Sequence, residues 1–371
     1  MRIQSNSANP LLTLVIIFGF QLAEAQDSTT PRDNTPKFSN EFLNIGVSAK
    51  AFALGLSMVS HTDDVTAAYW NPAGLNQMES DFQLGLMHSD YFGGLANYDY
   101  GGFAASLQDD SKLALSVVRF SVDNIPDTRF LFDANGAIDY SQIRFFSATD
   151  YAFLLTYARE LPILGGIRVG GNTKIIHRMA GSFAKSWGFG IDLGAQKTWK
   201  GWDFGLMAKD IFGTFNAWSH QPDELEDVYN LTGNEVPTNS LEVTLPRLIL
   251  GASRRFEVFK FFSIMPTVDL DMTFDGRRNT LVRSDALSID PHGGVELGFK
   301  DLAFLRFGVN NIQQLKDFDR STYWSMQPNA GVGVVIKQLH IDYALTDLGD
   351  ASEALFSHVF SLKVNFNLED K

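Results

Sequence analysis

The chain has 371 residues, no cysteine, and 30 basic against 43 acidic side chains, a formal charge of −13. An acidic chain does not suit nucleic acid, which needs a basic face. An exported chain without cysteine has no disulfide framework, so pairing and burial must stabilise it.

Residues 1–25 read as a signal peptide. Arg2 gives the positive start, Leu11 to Phe20 is a short apolar core, and Ala23-Glu24-Ala25 is a small-x-small cleavage site. The competing reading, an anchor helix, is weakened by polar Gln21 and Glu24 directly after the core. Beyond this leader no apolar run reaches the roughly 18 residues that a membrane helix needs. Residues 26–43 are polar and contain Pro, which predicts a flexible periplasmic lead-in.

The stretch 44–78 differs from everything after it. Ala, Gly and Ser alternate with Phe52, Leu54 and Leu56, a pattern suited to close packing against another surface. Asp63 and Asp64 offer an N-cap for a short helix over 65–69. Asn71-Pro72 stops that helix and starts a new turn, and Gly74 releases the chain. Gly46, Ala49-Lys50-Ala51, Leu54-Gly55, Asp63-Asp64, Ala67-Ala68 and above all Trp70-Asn71-Pro72-Ala73-Gly74-Leu75 resemble the N-terminal signature of the PorV/PorQ outer-membrane proteins. That group is related to the FadL-type (OMPP1/FadL/TodX) transporters. The resemblance implies a barrel of about 14 strands with Asp63, Asp64 and the Trp70–Leu75 motif in a hatch folded inside it. A cap lying outside the barrel is the alternative for this segment.

From residue 79 to 371 the apolar period is two. Trp187, Phe189, Ile191 and Leu193 share one face, and Gly188, Gly190, Asp192 and Gly194 share the other. Such alternation also fits a soluble sandwich, but its runs, such as 183–198 and 261–274, have the length of tilted membrane strands. About 14 runs, from 81–92 to 353–367, are separated by links that alternate short and long, the rhythm of an outer-membrane barrel with its short turns periplasmic. The fold class expected is therefore all-β: a transmembrane antiparallel barrel with a partly helical N-terminal plug, in the cell outer membrane. Tyr91, Phe92, Tyr98, Tyr100, Trp199, Trp202, Phe256, Phe259, Phe261 and Phe262 suit interfacial girdles.

Asp192, Gln196, Asp269, Asp271, Glu296, His340 and Asp342 are expected on the bore face, with Arg119, Arg247 and Arg255 near them. Paired glycines at 93–94, 101–102, 165–166, 170–171 and 293–294 mark turns or places where the hatch meets the wall. Scattered histidines, and no nucleophile–base pair or phosphate loop, supply no catalytic, cofactor or metal set. His61-x-Asp63-Asp64 has the donors for a cation, but capping explains the aspartates more simply. The loops 123–146 and 214–242 carry Phe130, Phe132, Trp218 and Tyr229 as candidate contacts for a protein or hydrophobic solute.

The resemblance implies a non-enzymatic role in type IX secretion, with partners among the secretion components and secreted cargo bearing a C-terminal sorting domain. FadL-like uptake of a hydrophobic small molecule, such as a long-chain fatty acid, is the alternative. Outer-membrane lipid is a partner on either reading. An apolar tunnel past the hatch favours uptake; a plugged bore and an exposed loop groove favour protein handling.

Overall fold

The computed structural model describes residues 38–368 apart from 92–93, 109, 133–134, 222–225, 227–228, 231–232, 234, 236–238, 318–319 and 347–356. The leader and most of the lead-in lie outside the described residues.

The strands form one antiparallel sheet. β1 (Phe82–Tyr91), β2 (Ala96–Gln108), β3 (Ser111–Asp127), β4 (Arg144–Leu161), β5 (Ile167–Ala180) and β6 (Ala184–Trp199) run as an up-and-down meander. β7 comprises Trp202–Lys209 and, past a bulge, Thr214–His220; both pieces pair with β6. β8 comprises Ser240–Thr244, Arg247–Ser253 and Phe256–Phe259. Then come β9 (Phe262–Thr273), β10 (Ser288–Phe299), β11 (Ala303–Lys316), β12 (Thr322–Ile336), β13 (Leu339–Thr346) and β14 (Ser357–Phe366). Pairing of Phe82 with Phe366, continued to Asp90 with His358, joins β1 to β14. A two-residue strand, Val282–Arg283, pairs with β10 inside a loop and is no part of the wall count. The result is a closed barrel of 14 strands.

The wall is apolar on its outside. On β1, Leu84 and Leu86 are exposed, whereas Gln83, Met87 and Ser89 are buried. Phe103, Leu115, Phe153, Leu155, Phe189 and Phe307 are likewise exposed. A soluble sandwich would bury these groups. Exposed over the whole outer wall, they need hydrocarbon around them, and a closed barrel leaves no unpaired edge within it. The molecule is thus built for the outer membrane.

Short turns gather at one rim. Lys200-Gly201 (φ 51° and 77°) and Lys300-Asp301 (φ 54° at both) are two-residue turns with both residues left-handed, which matches the twist of the flanking strands. At the other rim the strands climb further than the sequence pattern implies. β3 and β4 reach Asp127 and Arg144, so both ends of the expected 123–146 loop are paired. The apolar period ends where the outward residues become polar, yet the backbone pairing continues past a bulge at Asn124 (φ 56°).

Residues 38–80 run through the bore in short turns: Glu41–Asn44, Ala49–Ala53, Ala67–Trp70 and Pro72–Gln77. Val47, Ala49, Ala51 and Leu54 are fully buried in an apolar core shared with Met87, Tyr98, Val118, Leu154 and Ile176 of the wall, and Val65, Ala67, Ala68 and Leu75 are fully buried in a second one with Ala104, Ala114 and Ala158. Packing begins before residue 44, because Ser39, Asn40, Phe42 and Leu43 are buried too.

Candidate functional site

The plug is held by the wall through paired glycines. Four cross-strand pairs face the bore: Gly85 with Gly102, Gly170 with Gly194, Gly205 with Gly251, and Gly294 with Gly308. Each pair receives a different piece of the plug. Val65 lies over the first, Asn71-Pro72 over the second, Val59-Ser60 over the third and Leu54-Gly55 over the fourth. A Cβ at Gly294 would stand 2.8 Å from Leu54 Cα, and one at Gly170 would stand 2.7 Å from Ala73 N. Only bare backbone lets the plug come this near the wall. Of the glycine doublets singled out in the sequence, 101–102, 170–171 and 293–294 lie where plug and wall meet, and 165–166 is a turn. Doublet 93–94 reaches outside the described residues.

Asn71 is the central rivet. Its backbone is extended (φ −159°, ψ 105°), which ends the helix at Trp70 and lets Pro72 open a 3₁₀ turn. Its Oδ1 accepts from Ala73 N at 3.2 Å. Its Nδ2 donates to Val59 O at 2.8 Å and reaches Ala195 O at 3.2 Å and Leu206 O at 3.4 Å on the wall. Trp70 Nε1 donates to Val47 O at 2.9 Å, and Tyr69 Oη donates to Leu43 O at 2.7 Å. Gly74 packs on the Thr62 carbonyl, where a side chain would collide. Ala73 and Leu75 are buried beside it. The predicted motif is therefore one contiguous knot within the bore, and a cap outside the barrel is excluded.

Asp64 takes another role than expected. The helix starts at Ala67 after Thr66, with no side-chain cap. Asp64 Oδ1 accepts from Thr66 N at 2.9 Å, and Oδ2 pairs with Lys363 Nζ of β14 at 2.8 Å. Burial alone would raise its carboxyl; Lys363 and Lys50 outweigh that and hold it well below the usual carboxylate range. Asp63 is exposed. His61 is buried, with Nδ1 3.4 Å from Thr267 Oγ1 and no partner for Nε2 among the described residues. Burial first, then Lys50, pushes its pKa down to about 4, so the ring is neutral at neutral pH. Among the described residues, no group of three His, Asp or Glu side chains is placed to hold a metal.

Most of the expected bore residues serve the plug or the wall. Asp269 Oδ2 accepts from Met58 N at 2.8 Å and Val59 N at 3.0 Å, and Gln196 Nε2 donates to Val59 O at 3.0 Å. Arg306 joins Glu296 (2.6 Å) to Asp342 (2.5 Å). Lys174 joins Asp192 (2.7 Å) to Asp210 (2.5 Å) at the β7 bulge. Arg247 pairs with Asp271 at 2.9 Å, and His340 lines the bore. The cations Lys174, Arg306 and Lys363 were not anticipated, though their parity in the strands places them on the bore face. Arg119 is a correction: it lies on the outer wall, paired with Asp99 at 2.8 Å, because its parity is that of exposed Leu113 and Leu115. Arg255 sits at the short-turn rim with Glu257 and Asp301.

The aromatic expectations divide in the same way. Trp199, Trp202, Phe256, Phe259, Phe261 and Phe262 are exposed at the short-turn rim. Tyr98 and Tyr100 instead point inward and donate to Phe42 O and Val65 O, each at 2.9 Å, while Tyr91 packs on Phe52. Phe92 lies outside the described residues. Phe130 and Phe132 are exposed above the wall, Phe130 with the Arg144 guanidinium 4.3 Å from its ring centroid. Trp218 is a strand residue, not a loop residue; its Nε1 donates to Glu242 at 2.6 Å across the β7–β8 pair. Tyr229 is half-buried in a loop largely outside the described residues.

The plug leaves two vestibules. The one on the long-loop side, about 510 Å³, has Phe38, Ile45, Phe52 and Leu56 of the plug on one side and, on the other, polar Asn310 and Gln327 with charged Arg247, Asp271, Arg278 and Asp290. The one on the short-turn side, about 420 Å³, is strongly charged, with Lys50, Asp64, Glu296, Arg306, Asp342 and Lys363 around it.

No protein-family model matches the sequence, and no curated protein matches it significantly. Solved structures do resemble the fold. The toluene transporter TodX of P. putida aligns with a TM-score of 0.55 at 13% identity, over 87% of this chain and 99% of its own. The toluene transporter TbuX of Ralstonia pickettii gives 0.52 at 12%, over 87% and 99%. The monoaromatic hydrocarbon channel CymD gives 0.54 at 12%, over 88% and 99%. Across nearly the whole length of each of these channels, the chain shares their fold, a 14-strand barrel of the outer membrane.

Proposed function

We propose that this chain is an outer-membrane transport barrel that takes up a small hydrophobic compound, held above the plug before it passes. The observation that carries the reading is the long-loop vestibule, whose plug side presents Phe38, Ile45, Phe52 and Leu56 to about 510 Å³ of space. Its size suits one small ligand, and its mixed lining suits an apolar body with a polar end. The likeness of the whole barrel to TodX, TbuX and CymD supports the same substrate class. Passage along the bore requires the plug to shift, since the vestibule beneath it is strongly charged. Cells lacking their own hydrocarbon channels, and expressing this chain, should take up labelled toluene or long-chain fatty acid faster than vector controls. Leu56→Glu should remove the gain. Equal uptake with and without the chain would overturn the reading.

A second reading keeps the type IX secretion role. Two observations favour it: the Trp70–Leu75 motif, and a lower vestibule whose charged lining suits no hydrocarbon. On this reading the barrel brings exported proteins to the surface attachment machinery, and Phe130, Phe132, Trp218 and Tyr229 form its contact surface. Affinity purification from the native envelope should then recover secreted proteins sharing a C-terminal domain. Their absence, together with faster hydrocarbon uptake, decides for the first reading.

A further inference from the structure

The outer wall has a dent at its short-turn end. It spans β8 to β11, encloses about 530 Å³, and is lined by Val258, Phe262, Ile264, Leu297, Ala303 and Leu305. These side chains point away from the bore, and Phe262 is 50% exposed. The dent exists because small Ala303 stands directly across from Phe299 in the outward row, while β8 ends raggedly with a register shift between Glu257 and Phe259. In a bilayer such a hollow is filled by hydrocarbon, since an empty one forfeits its contacts.

The mouth of the dent is basic. Lys260 Nζ lies 5.6 Å and Lys300 Nζ 4.7 Å from the centroid of the same Phe261 ring, and Lys300 Nζ lies 5.3 Å from that of Phe299, which lines the dent. Farther along the rim, Lys200 sits over Trp199 at 4.6 Å and Arg254 over Phe256 at 4.9 Å. The carboxylates next to these turns in the chain, Glu257 and Asp301, are taken by Arg255. Among the described residues no carboxylate forms an ion pair with Lys260 or Lys300.

We propose that the dent and its lysines bind an anionic phospholipid of the periplasmic leaflet, one acyl chain in the hollow and the phosphate between Lys260 and Lys300. The short-turn rim faces that leaflet. A zwitterionic headgroup would bring its own ammonium against the lysines, so charge favours a net anionic lipid. Two lysines near a membrane surface make the preference about tenfold or more.

The test is native mass spectrometry of the full chain, purified in detergent and offered phosphatidylglycerol and phosphatidylethanolamine with matched chains. The expected result is about tenfold more retained phosphatidylglycerol. Lys260→Gln with Lys300→Gln should bring the two lipids to parity. Ala303→Phe, which fills the dent and leaves the charges alone, should lower retention of both. Glycerol phosphate should not compete. Equal retention by the native chain, an unchanged preference in the double lysine variant, unchanged retention in Ala303→Phe, or competition by glycerol phosphate would each overturn the site. Variants are compared only where the unheated band on a gel still migrates as a folded barrel.

Discussion

Two side chains of the plug itself respond to acid. His61 is buried with a pKa near 4 against an ordinary 6.5, so the unfolded chain binds a proton between those values and the folded chain does not. Stability therefore falls as pH drops from 6.5 to 4, by about 3 kcal/mol when complete. Asp64 acts lower. Its carboxyl is depressed, so its contribution is present above the ordinary carboxylate range and is lost only as pH falls through and below it. Melting of the folded band on unheated gels should thus show two acid limbs, and His61→Gln should abolish the upper one alone. The pair itself is tested at neutral pH. Asp64→Asn leaves Lys363 without its partner and should cost about 3 kcal/mol, near the low end for breaking a buried pair because Lys363 keeps some exposure. Adding Lys363→Met should recover most of it. Melting temperatures of the three proteins check both statements.

At the scale of elements, the plug and the wall are complementary through what the wall lacks. Gly101 and Gly102 adjoin in sequence and face opposite ways. A Cβ on Gly102 would meet the Tyr100 hydroxyl, which bonds the Val65 carbonyl of the plug, and would lie 2.9 Å from Val65 itself, whereas one on Gly101 would find Val117 at 3.6 Å, an ordinary contact on the outer wall. Gly102→Val should therefore dislodge the plug and raise conductance in planar bilayers, and Gly101→Val should not. Equal conductance in the two variants would show that the Gly85–Gly102 pair does not hold the plug. Much of this was legible in the sequence. The alternating runs gave the strands and their number, and Asn71-Pro72 gave the helix stop. What escaped had a physical reason. Tyr98 and Tyr100 looked like girdle residues because an inward tyrosine at the foot of a loop has the same local pattern; only the plug's Phe42 and Val65 carbonyls, far along the chain, make them core. Asp64 looked like a cap because its true partner, Lys363, is nearly the whole chain away.

At the scale of the molecule, the strand ladder of the wall is complete without the plug, which adds side-chain bonds to it but no strand. Among the described residues, the segment 38–80 contributes no strand to the sheet, and the ring closes through β1 and β14 without it. The wall's backbone groups are satisfied strand to strand, which is the condition for surviving in lipid. Its outer apolar band is unaffected by what fills the bore. Loss of the plug should then open a channel instead of collapsing the barrel. The exposed bore would be lined by ions already paired along the wall, Lys174 with Asp192 and Arg306 with Glu296 and Asp342, so it would wet readily. Deletion of residues 63–75, which removes the Asn71 rivet and the Asp64 pair together, should raise single-channel conductance well above that of the full chain while the unheated protein still runs as a folded band. A folded band with unchanged conductance would mean that the remaining turns, 49–59, seal the bore alone through the Gly294–Gly308 and Gly205–Gly251 pairs. An unfolded band would mean that the plug's apolar core with Met87, Tyr98 and Ile176 is needed to keep the wall closed.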